Sequence, residues 1–388
     1  MKLNKRLLPL YIGMFLQGLV FWYATEKLFM SGIGFDANTI AISVAIYSVS
    51  ALLTEIPSGI LADRWSRRGV LVLSSLAIVF SSLIGAVSYS VFVYFISTAI
   101  WGMYISLNSG TIDSIIYDTL LEENNSGDDY KKYIAKIDII SSIALIIGSV
   151  VGGLISTYVG LRETFWFSIP AASAAIIFFC IFKEPKLHLK SQNKSLIKHT
   201  KLTFQALFST KNLIWLTVSI ICTGAVWSLV MEMHQIWLIA LLMPIILFGP
   251  AHMLTATTFG LGGIIARFIK SKTKVIFSML LSMAAIILLT LSQNLWLSLI
   301  AIFLIMVINY SINIVMTHNF HDSLPSYTRA GSLSVISSLK RLIVVPVSIM
   351  FGIIAINFGI FQVGWFIAAI FLIAIMTQLF VKYNFKKN

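Results

Sequence analysis

Apolar runs long enough to cross a lipid bilayer recur along the whole sequence, separated by short polar stretches. A helix needs about 20 predominantly apolar residues to traverse the hydrocarbon layer. On that pattern, membrane spans are predicted at 7–30, 38–62, 69–88, 91–120, 134–157, 164–182, 212–234, 236–268 (broken), 274–291, 295–319, 331–356 and 361–381. Pro244, Gly249 and Pro250 interrupt the apolar stretch 231–250, so the turn between spans seven and eight is placed there. The short alternating segments of a membrane β-barrel are absent. The longest polar stretch, 183–211, falls at the midpoint and is read as a solvated tether. The predicted fold is therefore an all-α membrane protein of twelve helices in two six-helix bundles, residues 1–182 and 212–388, joined by the linker 183–211.

The two halves share an offset. Gly59-Ile60-Leu61-Ala62-Asp63 closes span two, and 204 residues later Gly263-Ile264-Ile265-Ala266-Arg267 closes span eight. Tyr117-Asp118-Thr119-Leu120 ends span four, and His321-Asp322-Ser323-Leu324 ends span ten by the same shift. Gly148 in span five falls on Gly352 in span eleven. Parallel six-helix repeats are an architecture in which two bundles rock about a central site.

Composition narrows the class. The chain is 58% hydrophobic and 11% charged, against roughly 25% charged in a soluble domain. The net charge of +13 sits in short loops between apolar spans, so it reports topology, and no nucleic-acid partner is expected. With the N-terminus inside, 24 of the 28 lysines and arginines fall in inner loops and tails. Arg162 alone falls outside, and Lys27, Lys340 and Arg341 lie within spans. Both termini are thus expected to be cytoplasmic, in the inner membrane, with the first span retained as a helix and not cleaved as a signal peptide. Cys180 and Cys222 both lie in apolar runs and are read as packing residues.

One segment carries a family signature. Gly59-Ile60-Leu61-Ala62-Asp63-Arg64-Trp65-Ser66-Arg67-Arg68 resembles the loop motif of the major facilitator superfamily, G-x-L-a-D-r-x-G-r followed by Lys or Arg, at the turn between spans two and three where that family has it. Ser66 replaces the second glycine. Gly59 and Ala62 are expected to let helices approach closely. Asp63, Arg64, Arg67, Arg68 and Asp118 are expected to form a charged latch that breaks as the bundles rock. Gly148-Ser149-Val150-Val151-Gly152-Gly153 is similar to an element of exporters in that superfamily, with Ser149 in place of its proline, and its glycines provide close helix packing in either case. The segment 109–118 resembles span four of bacterial drug-efflux members. The arginine that many proton-coupled members place in span four is absent, Thr98 standing there. The resemblance implies a secondary transporter working by alternating access.

Ionisable groups inside spans cost about 3 kcal/mol or more and are functional candidates. Glu26 shares a helical face with Tyr11, Gly18, Trp22, Thr25 and Phe29, an arrangement suited to lipophilic cations. Lys27 points about 100° away and is expected to snorkel outward. Asp113 shares a face with Gly102, Ser106 and Ser109, and Glu232 lies near Trp227 and His234. Asp138 is read as a surface ion-pair partner of Lys136 or another inner-loop cation. Lys340 and Arg341 are expected to pair with one of these carboxylates. Substrate or proton binding is thus assigned to Glu26, Trp22, Asp113, Glu232 and Trp227. His318, His321 and Asp322 have metal-like spacing at a helix end, but a helix terminus accounts for them and no metal is expected. No phosphate-cradling glycine loop or hydrolase signature occurs. The expected function is proton-coupled efflux of a hydrophobic or cationic small molecule by a monomer bathed in lipid, with H+ as coupling ion and no cofactor. A proton- or sodium-driven nutrient importer is the alternative. A membrane enzyme or scaffold lacks the catalytic cluster or outer domain it would need.

Overall fold

The computed structural model describes residues 2–124, 129–185, 210–324 and 329–382, without the side chains of 2, 124 and 329–334. Most of the expected tether, 186–209, lies outside the described residues. The described residues form helices and no strand. These are α1 (Lys2–Gln17), α2 (Glu26–Gly32), α3 (Ala37–Arg64), α4 (Arg67–Val87), α5 (Val91–Asn108), α6 (Thr111–Asn124), α7 (Tyr130–Tyr158), α8 (Glu163–Ile181), α9 (Lys211–Ala240), α10 (Ile245–Ala266), α11 (Lys272–Leu291), α12 (Leu295–Asp322), α13 (Arg329–Phe358) and α14 (Val363–Phe380). Starts are written locally. Ser66, Ser90, Thr210, Ser271 and Asn294 each accept a hydrogen bond from a first-turn backbone N–H of the helix that follows. Before α3, Asp36 and Thr39 cap each other reciprocally, and the Thr39 backbone N–H holds the Asp36 carboxyl below its ordinary value.

Eleven helices among the described residues are long and apolar enough to cross a membrane, α5 and α6 counting as one. Many of their exposed side chains are themselves large and apolar, as at Leu372, Ile373, Met376, Leu379 and Phe380 of α14. This is a multi-pass membrane protein.

The first predicted span is not one helix. α1 stops at Gln17, and a 3-10 turn, Tyr23–Thr25, precedes the seven-residue α2. After Gly18 the run Val20-Phe21-Trp22-Tyr23 consists of poor helix formers, and its irregular backbone is sheltered inside protein: Val20, Trp22, Ala24 and Thr25 are buried. Span four is interrupted too, at Ser109-Gly110, where Gly110 adopts φ +72°. Conversely, α9 runs unbroken to Ala240, and the turn before α10 is confined to 241–244. Pro244 belongs to that turn, whereas Gly249 and Pro250 lie inside α10, where one lost backbone bond does not end a membrane helix.

The chain forms two compact units. One comprises Met1–Phe35, Ile46–Asn193 and Pro244–Met253. The other comprises Asp36–Ala45, Lys194–Met243 and Leu254–Asn388. In the first, α4 packs against α5 and α8, and α1 against α8. In the second, α11 packs against α12 and α14, and α9 against α14. Helices of corresponding rank therefore meet in each. Small residues let α4 sit close to its neighbours: Ser74, Ser75, Ser81 and Ser82 are buried, and Ser81 and Ser97 exchange hydrogen bonds between α4 and α5.

Candidate functional site

The first unit buries an ion pair at the break in its first span. Lys27 Nζ stands 2.6 Å from Glu26 Oε2, and the Tyr94 hydroxyl of α5 donates to Glu26 Oε1 at 2.9 Å. Glu26 is 8% exposed and Lys27 3%. Lys27 thus does not snorkel. The two residues open α2 together and still leave it about 100° apart, but the long Lys27 side chain folds back onto the carboxylate instead of running to the surface. The common face with Tyr11 and Gly18 is lost because α1 ends at Gln17, before the break. Tyr11 belongs to the α1 piece, where Lys136 Nζ lies 4.3 Å over its ring.

Aromatic rings enclose this pair. Trp22 stacks on Phe165 of α8 with centroids 5.1 Å apart, meets Trp101 of α5 edge-on at 4.8 Å, and donates through Nε1 to Ser82 at 3.0 Å. Phe29 packs on Tyr94 and Phe165. The Arg162 guanidinium lies 5.2 Å over Phe29 and 4.0 Å over Tyr89, and it donates to the Ala86 carbonyl. Tyr23 meets His252 of α10 edge-on at 4.9 Å.

Two of the α7 glycines, Gly148 and Gly152, face this break. An added Cβ on Gly152 would overlap the Phe21 carbonyl, one on Gly148 would come 3.4 Å from the Val20 backbone, and one on Gly153 would meet the Gly249 backbone of α10. Phe21 N–H, freed from helix, donates to Ser168 at 3.0 Å. In contrast, a Cβ on Gly59 would meet nothing within 4 Å. The close approach expected at Gly59 is therefore not made among the described residues.

Asp113 lies elsewhere. The Gly110 turn places it in α6, off the face of Gly102 and Ser106. It is exposed and accepts from Tyr130 of α7 at 2.7 Å. Asp138 of α7 is its electrostatic neighbour, while Lys136, the cation expected beside Asp138, turns to Tyr11.

Glu232 and Trp227 belong to the second unit, both on α9. Trp227 forms an aromatic group with Phe259 of α10 at 6.0 Å and Tyr310 of α12 at 6.1 Å, and Phe259 meets Tyr310 at 5.1 Å. His234 Nδ1 hydrogen-bonds to the Met231 carbonyl at 2.8 Å. Lys340 of α13 packs its alkyl chain on Gly224, where an added Cβ would stand 2.8 Å from Cε. It does not pair with Glu26, Asp113 or Glu232; among the described residues no acid lies within ion-pair distance of it.

The signature turn between α3 and α4 is held against the middle of α6 and the end of α8. Arg67 pairs with Asp118 of α6 and stands 3.7 Å from Asp63. Ser66 donates to Glu184 at 2.6 Å while capping α4, and the same carboxylate accepts from Arg67 N–H at 2.6 Å. Arg68 donates to the Cys180 carbonyl at the end of α8. Arg64 is exposed. Arg6 of α1 pairs with Glu122 and Glu123. Glu184 was not foreseen, because it opens the polar linker, where nothing local marks it as a helix-cap acceptor.

An uncharacterized transporter of Buchnera aphidicola is 29% identical over 171 residues, 42% of this chain and 40% of that protein. Inner membrane transport protein YajR of Escherichia coli is 24% identical over 190 residues, 49% of this chain and 40% of that one. Multidrug resistance protein 2 of Bacillus subtilis is 25% identical over 174 residues, 45% and 42% respectively. The match therefore spans less than half the length of each of these curated relatives. Two crystal structures share the fold over nearly the full length. The nucleoside transporter NupG has a TM-score of 0.77 at 17% identity, covering 99% of this chain and 100% of that one. The D-xylose-proton symporter has 0.75 at 13% identity, covering 97% and 98%. The sequence profile of the Major Facilitator Superfamily matches residues 7–342, and the chain belongs to that family of transporters, not enzymes.

Proposed function

We propose that the chain is a secondary active transporter that exports hydrophobic small molecules in exchange for protons. It would do so by alternating access of two six-helix bundles, 1–182 and 212–388, joined by the linker 183–211. Taking α1 and α2 as one interrupted crossing brings the count to twelve. The lysine and arginine distribution supports cytoplasmic termini in the inner membrane. The carrying observation is the interrupted first span, whose break holds the buried Glu26–Lys27–Tyr94 group amid aromatic rings. Discontinuous helices mark substrate and coupling-ion sites in transporters. Protonation of Glu26 would release Lys27 and shift the local charge by one unit, which is the event a proton-coupled cycle requires. The export direction is supported by the α7 glycines and by the partial likeness to a multidrug resistance protein. A preference for cations loses its support, since Lys27 already compensates Glu26. The Arg67–Asp118–Glu184 group, with Asp63, Arg64 and Arg68, would be the latch. One proton suffices energetically: crossing 100 mV yields about 2.3 kcal/mol, and a tenfold gradient about 1.4 kcal/mol more.

The test is accumulation of Nile red, a neutral lipophilic fluorophore, in inverted membrane vesicles. Energised wild-type vesicles are expected to accumulate it, a protonophore to abolish the accumulation, and Glu26→Gln to remove its dependence on the gradient. Accumulation indifferent to the gradient overturns proton coupling. A proton- or sodium-driven importer, the alternative, would drive the dye's flux in the opposite sense.

A further inference from the structure

Lys340 is a cation in a membrane helix with no acid beside it among the described residues. Such a charge costs about 3 kcal/mol or more unless something repays it. The usual escape is to snorkel to the helix end, and the packing here excludes that. Cε of Lys340, eleven residues into α13, lies against Gly224, thirteen residues into α9. The side chain is therefore directed across to the neighbouring helix at a similar depth, and the absence of a side chain at Gly224 makes the room. Trp227 lies three residues along the same helix, hence on the adjoining surface. Its indole Nε1 is buried without a hydrogen-bond partner, a second polar group left open one turn away. Phe259 and Tyr310 complete a three-ring wall around Trp227. Gly262 leaves space for the Tyr310 ring, which an added Cβ would strike at 2.7 Å.

We propose that Lys340, Gly224 and Trp227, with Phe259 and Tyr310, form a binding site for an aromatic organic anion. The ammonium and the indole N–H take the carboxylate or sulfonate, and the rings hold the apolar body. This names the substrate class of the transporter and rests on that reading. The chemistry is complementary on both counts. A desolvated ammonium gains most from an opposite charge in a low-dielectric setting, and aromatic rings prefer edge-on or offset contacts with another ring.

The experiment uses the full chain in detergent, with 2-naphthoate as probe and 2-naphthamide as its neutral counterpart, by isothermal titration. Wild type is expected to bind the anion at least about tenfold more tightly than the amide. Lys340→Met should erase that preference without lowering the melting temperature, and Lys340→Arg should keep it. Trp227→Phe should weaken both probes. Equal affinities in wild type, no binding of either probe, or a preference that survives in Lys340→Met would each overturn the site. Vesicle transport is read separately. Anion preference in titration without any gradient-driven flux defeats the transport reading and leaves the site. Flux of Nile red without anion preference does the reverse.

Discussion

Each unit places a lysine within a predicted span, Lys27 buried and Lys340 half-buried, and the two are treated in opposite ways. Lys27 has Glu26 at 2.6 Å, and Tyr94 holds that acid in place, so a neutral cluster is assembled from one short helix and α5. Lys340 has a glycine notch and an aromatic wall but no counter-charge among the described residues. A buried charge that is paired internally is committed to the protein's own architecture or to a proton. One that is housed but not neutralised is available to something that comes and goes. The same residue type therefore carries two meanings, separable only through its neighbours.

Breaking the internal pair should have the largest effect. Lys27→Met or Glu26→Gln, each leaving one charge in the interior without its opposite charge, is expected to cost about 3–5 kcal/mol and to lower the detergent melting temperature sharply. The double variant should recover most of the loss. Equal stability of the singles and the wild type would erase the contrast between the two lysines. Next comes Gly224→Ala. The new methyl meets Cε of Lys340 at 2.8 Å, and overpacking of this kind costs about 1–3 kcal/mol. Adding Lys340→Ala should relieve it, and thermal unfolding of the double mutant checks the contact directly. The smallest effect is expected at the matched helix starts. Ser66→Ala and Ser271→Ala each remove an N-cap worth about 1 kcal/mol. The loss should be larger at Ser66, whose hydroxyl also donates to Glu184.

Why these features differed in legibility follows from what local pattern can carry. The spans were readable because apolar length is a one-dimensional property, and α4, α8, α11 and α14 begin and end within a few residues of expectation. The break at Gly18–Thr25 was hidden because the intervening residues are as apolar as the helix they interrupt; only their poor helix propensity marked it. That omission put Tyr11 and Gly18 on the face of Glu26, whereas Lys27 was sent outward by its angle alone, with no allowance for a side chain long enough to fold back. The Gly110 turn could have been found, since Asn108-Ser109-Gly110-Thr111 is a run of breaker and cap residues. The Arg67–Asp118 pair was legible because the motif supplies Arg67 and the order of spans brings Asp118, at the inner end of span four, to the same side, whereas Glu184 was not, since its role depends on where α8 ends in space. Ser66, a departure from the signature glycine, is explained by the cap it supplies.

The interrupted first span has a consequence for biosynthesis. When residues 18–32 leave the ribosome they carry an acid and a base side by side on a helix too short to bridge a bilayer, and the groups that shelter them do not yet exist. Tyr94 arrives some 65 residues later and Phe165 another 70 after that. Secure lodging of this segment must therefore await α5 and α8, so it settles only after helices that are synthesised later than it is.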